Sequence, residues 1–155
     1  MTDIFDRLKK DHDKHRELLT KIAATESDDD KRDELFQEFK FDAKAHAAAE
    51  EETLYAEMLK DPDLREEGSH STAEHKEIED LLTDLQKTPR ASSGWKSKFE
   101  QLDNLYRHHI NEEEEDTFKM AEDKFTKAKR ESLGKTFEER KPAEKEKVQE
   151  AENKD

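Results

Sequence analysis

At 155 residues the chain suits one domain, and with 30% hydrophobic and 46% charged residues its core must be a thin seam between broad solvated faces. A formal net charge of −14 argues against phosphate backbones and anionic lipid, so no nucleic-acid and no membrane partner is expected. The absence of cysteine excludes disulfides, thiolate zinc sites and iron–sulfur clusters, and no signal peptide or apolar run of membrane length is read, so the expected location is cytoplasmic.

Strand-like runs are missing, valine occurs once, and three Gly and three Pro leave room for few turns. The class expected is all-α. Helix 1 is predicted from Thr2 or Asp3 to Thr25, with Phe5, Leu8, His12, His15, Leu19 and Ile22 recurring at intervals of three and four, the seam of a bundle. Glu26 to Asp30 is a polar break. Helix 2 is predicted over Lys31 to Lys60, with the seam Phe36, Phe39, Ala43, His46, Glu50 and then Thr53 or Leu54; Pro62 interrupts it. Helix 3 begins between Asp63 and Ser71, carries Ser71, His75, Ile78, Leu82 and Leu85, and ends at Thr88-Pro89. Helix 4 starts near Trp95 and reaches at least Met120, with the seam Trp95, Phe99, Leu102, Tyr106, His109, Glu113 and then Thr117 or Phe118. Gly134 is read as closing the globular part. The expected division is a four-helix metal-binding domain over residues 1–135 and a charged, flexible tail over 136–155, rich in Lys and Glu. Short loops favour an up-down-up-down four-helix bundle.

Two spellings stand out, His46-Ala-Ala-Ala-Glu50 and His109-Ile-Asn-Glu-Glu113. Each puts an imidazole and a carboxylate one helical turn apart on the same face, and that face is the buried one. A carboxylate facing a core is costly unless its charge is compensated. His12 and His75 lie on the seams of the other two helices. At about 1.5 Å of rise per residue, each of the four histidines stands roughly 18–27 Å from the loops that flank it, so all four share one level of the bundle. Four nitrogens and two carboxylates able to bridge suit a pair of metal ions, expected to be iron; imidazole with carboxylate also suits manganese or zinc.

The remaining histidines are weaker candidates. His15 follows His12 by one turn and is read as a ligand, a donor to one, or a wet core histidine. His70 precedes His75 by five residues, about 140° around an ideal helix, so joint ligation would need a break near Gly68. His108 should point outward. Tyr106 lies one turn from His109 and could hydrogen-bond near the centre. Glu51, Glu52, Glu112, Glu114, Glu115 and Asp116 are read mostly as solvated faces.

Asp11-His12, His46-Ala-Ala-Ala-Glu50-Glu51 with Leu54-Tyr55, Glu74-His75, and His109-Ile-Asn-Glu-Glu113-Glu114 with Phe118 together resemble the hemerythrin-like (HHE cation-binding) family over about Asp3 to Phe125. The resemblance implies two iron ions, oxo- or hydroxo-bridged, ligated by His12, His46, Glu50, His75, His109 and Glu113. The oxygen-carrier members have a further histidine where this chain has Ser71, and they place the last carboxylate five rather than four residues after its histidine. The likeness is therefore to the four-His, two-Glu bacterial and regulatory members, with an open position on one iron that His70, His15 or Tyr106 could fill.

The function expected is a non-catalytic di-iron protein binding O2, peroxide or NO in oxygen, iron or redox sensing or handling, with no catalytic residue assigned and a monomer favoured. The alternative is a di-iron enzyme that decomposes hydrogen peroxide in oxidative stress defence. A third reading is a purely structural helical module.

Overall fold

The computed structural model describes residues 2–27 and 29–153; Met1, Asp28 of the first polar break and the last two residues of the expected tail lie outside the described residues. No strand occurs among the described residues. Helix α1 spans Ile4–Ala23 and α2 spans Asp30–Glu50, which passes without interruption into a π-helical turn, Glu51–Tyr55, and then α3, Ala56–Lys60. Helix α4 spans Arg65–Lys87. Helix α5, Ser93–Glu112, continues through a second π-helical turn, Glu113–Thr117, into α6, Phe118–Lys124. Helix α7 spans Lys127–Asn153.

The starts of the helices follow local chemistry. Asp3, Asp29 and Ser92 sit in extended backbone and accept from Phe5, Lys31 and Trp95 amides, satisfying donors that a first helical turn leaves unpaired. Helix α4 has no such side-chain cap; it starts at Arg65, so Gly68 lies inside it rather than before it.

The first four rods run antiparallel to their neighbours, because partner numbers fall along one as they rise along the other. Between α1 and α2, Asp11 meets His46 and His15 meets Asp42. Between α4 and α5, Glu74 meets His109 and Thr88 meets Lys98. Their apolar residues form two separate clusters. One packs Leu19, Ile22, Phe36, Phe39, Leu82 and Trp95 with their neighbours toward the α1–α2 and α4–α5 loops. The other gathers Ile4, Phe5, Leu8, Leu54, Met58 and Phe118 at the opposite end. A polar layer lies between them.

The tail expected from residue 136 is instead the body of α7. It lies in the groove between α1 and α2, parallel to α1 (Arg7 with Glu138, Asp11 with Lys141) and antiparallel to α2 (Glu52 with Arg140, Lys40 with Glu152). The expectation of four helices therefore falls short by one. Gly134, Phe137, Lys141 and Glu144 are buried at intervals of three and four. This is an ordinary helical stripe, but half of it is charged, which hid it from a hydropathy reading. Gly134 does not end the domain. A β-carbon there would stand 2.2 Å from the Thr2 carbonyl oxygen, so glycine is what lets α7 cross the start of α1. Pro142 removes one backbone donor, and the helix continues past it.

Candidate metal centre

The polar layer is built from α1, α2, α4 and the α5–π-turn junction. His12, His46, Glu50, His75, His109 and Glu113 are all buried there. Ligand-type atoms of Glu50, His75, His109 and Glu113 lie within 4.8 Å of one another, as do those of His12, His46 and Glu50. Glu50 belongs to both groups. Its Oε1 is 3.1 Å from His75 Nε2 and 3.7 Å from His46 Nε2. Glu113 Oε1 is 3.1 Å from His109 Nε2 and 3.5 Å from His12 Nε2. Each carboxylate thus faces two imidazoles from different helices. The structure brings together all six residues that the sequence singled out.

Most of their inward atoms lack partners. Nε2 of His12, His46 and His109, Nδ1 of His75, both carboxylate oxygens of Glu50 and Oε1 of Glu113 are buried without a hydrogen bond. Buried polar atoms are nearly always paired, and five neighbouring residues left unpaired toward one another form a set that cations would satisfy; His75 turns its Nε2 to Glu50 and the Tyr55 hydroxyl, and its unpaired atom is the outer Nδ1. The outer sides of the rings are paired. Nδ1 donates to Asp11 in His46 (2.7 Å), to Glu114 in His12 (2.7 Å) and to Glu74 in His109 (2.8 Å). Because a carboxylate only accepts, each Nδ1 carries a hydrogen, which leaves the inward Nε2 as the nitrogen that a metal could take in place of a proton. His75 is looser, its Nδ1 3.8 Å from Glu51.

The electrostatics describe an over-charged pocket. Burial and the neighbouring Glu113 carboxylate push Glu50 up to about 7. Burial works against charge on Glu113 too, but His109 and His12 outweigh it and hold that carboxyl well below its usual range. Burial likewise opposes protonation of His12, His75 and His109. Glu113 and Glu114 nevertheless raise His12 to about 9, Glu50 and Glu51 raise His75 to about 9, and Glu113 and Glu74 raise His109 to about 10. His46 goes the other way, to about 3, because burial and the adjacent His12 prevail over Asp11. Protons thus occupy the charge-balancing role that metal cations can fill.

The arrangement repeats. One offset of 63 residues separates Asp11 from Glu74, His12 from His75, His46 from His109, Glu50 from Glu113 and Glu51 from Glu114. Each half is a helical hairpin with an acid-His pair on its first helix and a His-x-x-x-Glu-Glu run on its second. In one half a π-helical turn starts just after the glutamate, at Glu51, and in the other it starts at the glutamate itself, Glu113. The additional residue in that turn rotates the chain so that Thr53, Leu54 and Tyr55 are all buried in one half, and Thr117 and Phe118 in the other. This resolves the uncertain continuation of both seams.

Several functional residues were not singled out by sequence reasoning. Asp11, Glu74 and Glu114 hold ring nitrogens, and the signal for them was their adjacency to His12, His75 and Glu113. Tyr55 is fully buried, donates to Glu113 Oε2 at 2.5 Å and stands 3.4 Å from His75 Nε2. Ser71 is buried beside it. Burial and the two glutamates raise the Tyr55 phenol well above its ordinary value, so it keeps its proton. Lys141 of α7 bridges Asp11 at 2.9 Å and Asp42 at 3.0 Å, tying the fifth helix to the carboxylate behind His46.

The three additional candidates fall elsewhere. His15 has both ring nitrogens engaged, Nε2 with Asp42 Oδ2 at 2.6 Å and Nδ1 with the Tyr106 hydroxyl at 2.5 Å, which leaves neither His15 nor Tyr106 a free donor atom for the centre. His70 is half exposed, 3.5 Å from Glu112 and 3.7 Å from Glu74, outside the central layer; no break near Gly68 turns it inward.

A family model described as the Hemerythrin HHE cation binding domain matches residues 3–121. The chain belongs to the hemerythrin HHE family. Its fold matches the crystal structure of a hemerythrin HHE cation binding domain-containing protein from Mycobacterium kansasii, with a TM-score of 0.85 and 25% identity over 95% of this chain and 90% of that one. A comparison with proteins of curated function finds no match. The hemerythrin HHE family model is described as cation binding, and the buried His/Glu groups are ones that could hold a metal ion. Helix α7 lies beyond the residues of the family match. No helix among the described residues is long and apolar enough to cross a membrane.

Proposed function

We propose that the chain is a non-haem di-iron protein that binds O2 or a related small oxidant, in oxygen, iron or redox sensing or handling. The observation that carries this reading is the set of unpaired, buried nitrogen and oxygen atoms on His12, His46, Glu50, His109 and Glu113 turned toward one another, with His75 Nε2 3.1 Å from Glu50 beside them. Glu50 and Glu113, each facing imidazoles from two helices, are the residues to hold a cation pair in common, with the four histidines as terminal donors. Iron so held would supply small-oxidant binding and electron exchange; manganese and zinc suit the same donors less well for that role.

The chain's own groups prepare the site. Asp11, Glu74 and Glu114 fix the imidazole tautomers and orientations. Phe118, stacked 5.8 Å from the His12 ring, and Leu54 keep bulk water from the lower side. Purified protein is expected to carry about two iron ions per chain, in line with two carboxylates flanked by separate imidazole pairs, and to show an aerobic near-ultraviolet charge-transfer band. Protein with neither iron nor manganese would overturn the proposal in favour of a structural module.

One observation favours a second reading, the decomposition of hydrogen peroxide. Tyr55 holds a proton at its Oη, inside the centre and next to Glu113, and proton delivery to a departing oxygen is what such an enzyme needs. Under this reading Tyr55→Phe keeps its metal but loses O2 evolution from peroxide by about 10²-fold. Absence of O2 evolution from the parent would leave the binding-protein reading in place, and equal, measurable rates in variant and parent would remove Tyr55 as the proton donor.

A further inference from the structure

Two of the histidines left outside the central layer build a cluster of their own. His70-Ser-Thr-Ala-Glu74 on α4 and His108-His-Ile-Asn-Glu112 on α5 each set an imidazole and a carboxylate one turn apart, and the two runs meet across the α4–α5 contact. His70 Nε2 stands 3.7 Å from Glu74 Oε2 and 3.5 Å from Glu112 Oε1, and His108 Nε2 stands 3.2 Å from Glu112 Oε2. Ligand-type atoms of His70, Glu74 and Glu112 all lie within 4.8 Å of one another. A hollow of about 370 Å³ adjoins them, lined by Asp63, Glu66, Glu67, His70, Glu112 and Met120.

The spacing is that of donors around an ion. At 3.5 and 3.7 Å the His70 nitrogen is too far from either carboxylate for a good hydrogen bond, whereas two donors about 2.1 Å from one tetrahedral cation stand about 3.4 Å apart. The same two distances recur in the central layer, His12 to Glu113 at 3.5 Å and His46 to Glu50 at 3.7 Å. The charge of the cluster is also uncompensated. The side chains of Glu74 and Glu112 are 12% and 28% exposed, and among the described residues no lysine or arginine pairs with either; imidazoles alone face them. Of the other acids at the hollow, Asp63 is taken by Lys124 and Glu67 accepts from the Thr117 hydroxyl, while Glu66 stands exposed. Partly desolvated carboxylates without a fixed cation call for one, and the imidazole among them selects a transition metal over Mg2+ or Ca2+.

We propose that His70, Glu74 and Glu112 form a separate surface site for one divalent transition-metal cation, with His108 on the outer side of Glu112. The site stands on these side chains and does not depend on which metal fills the central layer. Glu74 connects the two. Its Oε1 accepts from Nδ1 of His109 at 2.8 Å, while its Oε2 faces His70. A cation at Oε2 draws charge away from the oxygen that holds the His109 ring, so occupancy outside bears on a residue of the centre, and each site changes the affinity of the other by the same factor.

The test is equilibrium dialysis of the purified full-length protein against Zn2+ in excess Mg2+, with zinc and iron both measured on every sample. The magnesium occupies carboxylates that have no imidazole beside them. One zinc per chain is expected beyond the iron already present, with no iron lost. His70→Ala and Glu112→Gln should each weaken that zinc at least about tenfold while the iron content stays as it was. Both side chains reach the surface, and alanine and glutamine suit a helix, so these variants keep the fold. Zinc that only replaces iron, or zinc binding indifferent to both substitutions, overturns the inference. Zinc binding that depends on His70 in protein without any resident metal would count against the di-iron reading and leave this one standing.

Discussion

Glu50 and Glu113 are carboxylates in the middle of a protein core, and each is tolerable only because imidazoles face it. Removing either acid takes away an oxygen donor shared by two histidines. Glu113→Ala or Glu50→Ala is therefore expected to lower the metal-to-protein ratio sharply, read by elemental analysis of folded protein; unchanged stoichiometry would contradict the ligand assignment. The acids behind the rings act at one remove. Asp11 orients His46 across the α1–α2 contact rather than its own neighbour His12, and Glu74 does the same for His109. That crossing explains why proximity in sequence pointed to these residues without disclosing their role.

At the scale of the element, two features set this bundle apart from four plain rods. The first is the pair of π-helical turns beginning at Glu51 and at Glu113, which spend a residue each to bring Tyr55 and Phe118 inward one position later than an α-helix would. The second is α7. Phe137 is fully buried between α1 and α2 and lies 5.6 Å from the His46 ring, while Lys141 neutralises Asp11 and Asp42. Phe137→Ala is expected to cost about 3 kcal/mol. Lys141→Met should cost about 2 kcal/mol, because Asp11 retains Arg7 and Asp42 retains His15. Both values are to be read from urea unfolding of metal-free protein. Wild-type stability in both variants would mean that α7 contributes nothing to the fold in solution.

The whole molecule is two apolar clusters joined through a polar layer, so its stability depends on what neutralises that layer. Without metal, protons do so. His12 and His75 have pKa values near 9 in the fold against 6.5 for the free side chain, both raised by glutamates in spite of burial. A raised folded-state value means that protonation stabilises the fold. The contribution is complete below about pH 6.5 and is lost as pH rises through about 9. The thermal midpoint of metal-free protein is therefore expected to fall between pH 6.5 and 9. Metal-loaded protein, whose ligands have already given up those protons, should be higher throughout and flatter across this window. Parallel curves with and without a chelator would show that the metal does not reside in this layer.

The residue order alone settled a good deal. The seams at intervals of three and four gave the class and the first four rods, and a similar count of residues from each loop to its histidine put four histidines at one level, two of them with a glutamate one turn on. These are local periodicities multiplied by a fixed rise, which need no knowledge of neighbours. The tertiary structure decided what depends on neighbours. A stripe of Gly134, Phe137, Lys141 and Glu144 becomes a packed helix only because Asp11, Asp42 and the start of α1 receive it. His15 and Tyr106 are withdrawn from the centre because each finds the other across the α1–α5 contact, and His70 stays outside because Gly68 is simply helical. Burial and pairing belong to the fold as a whole, and a charged residue with its partner supplied can be core.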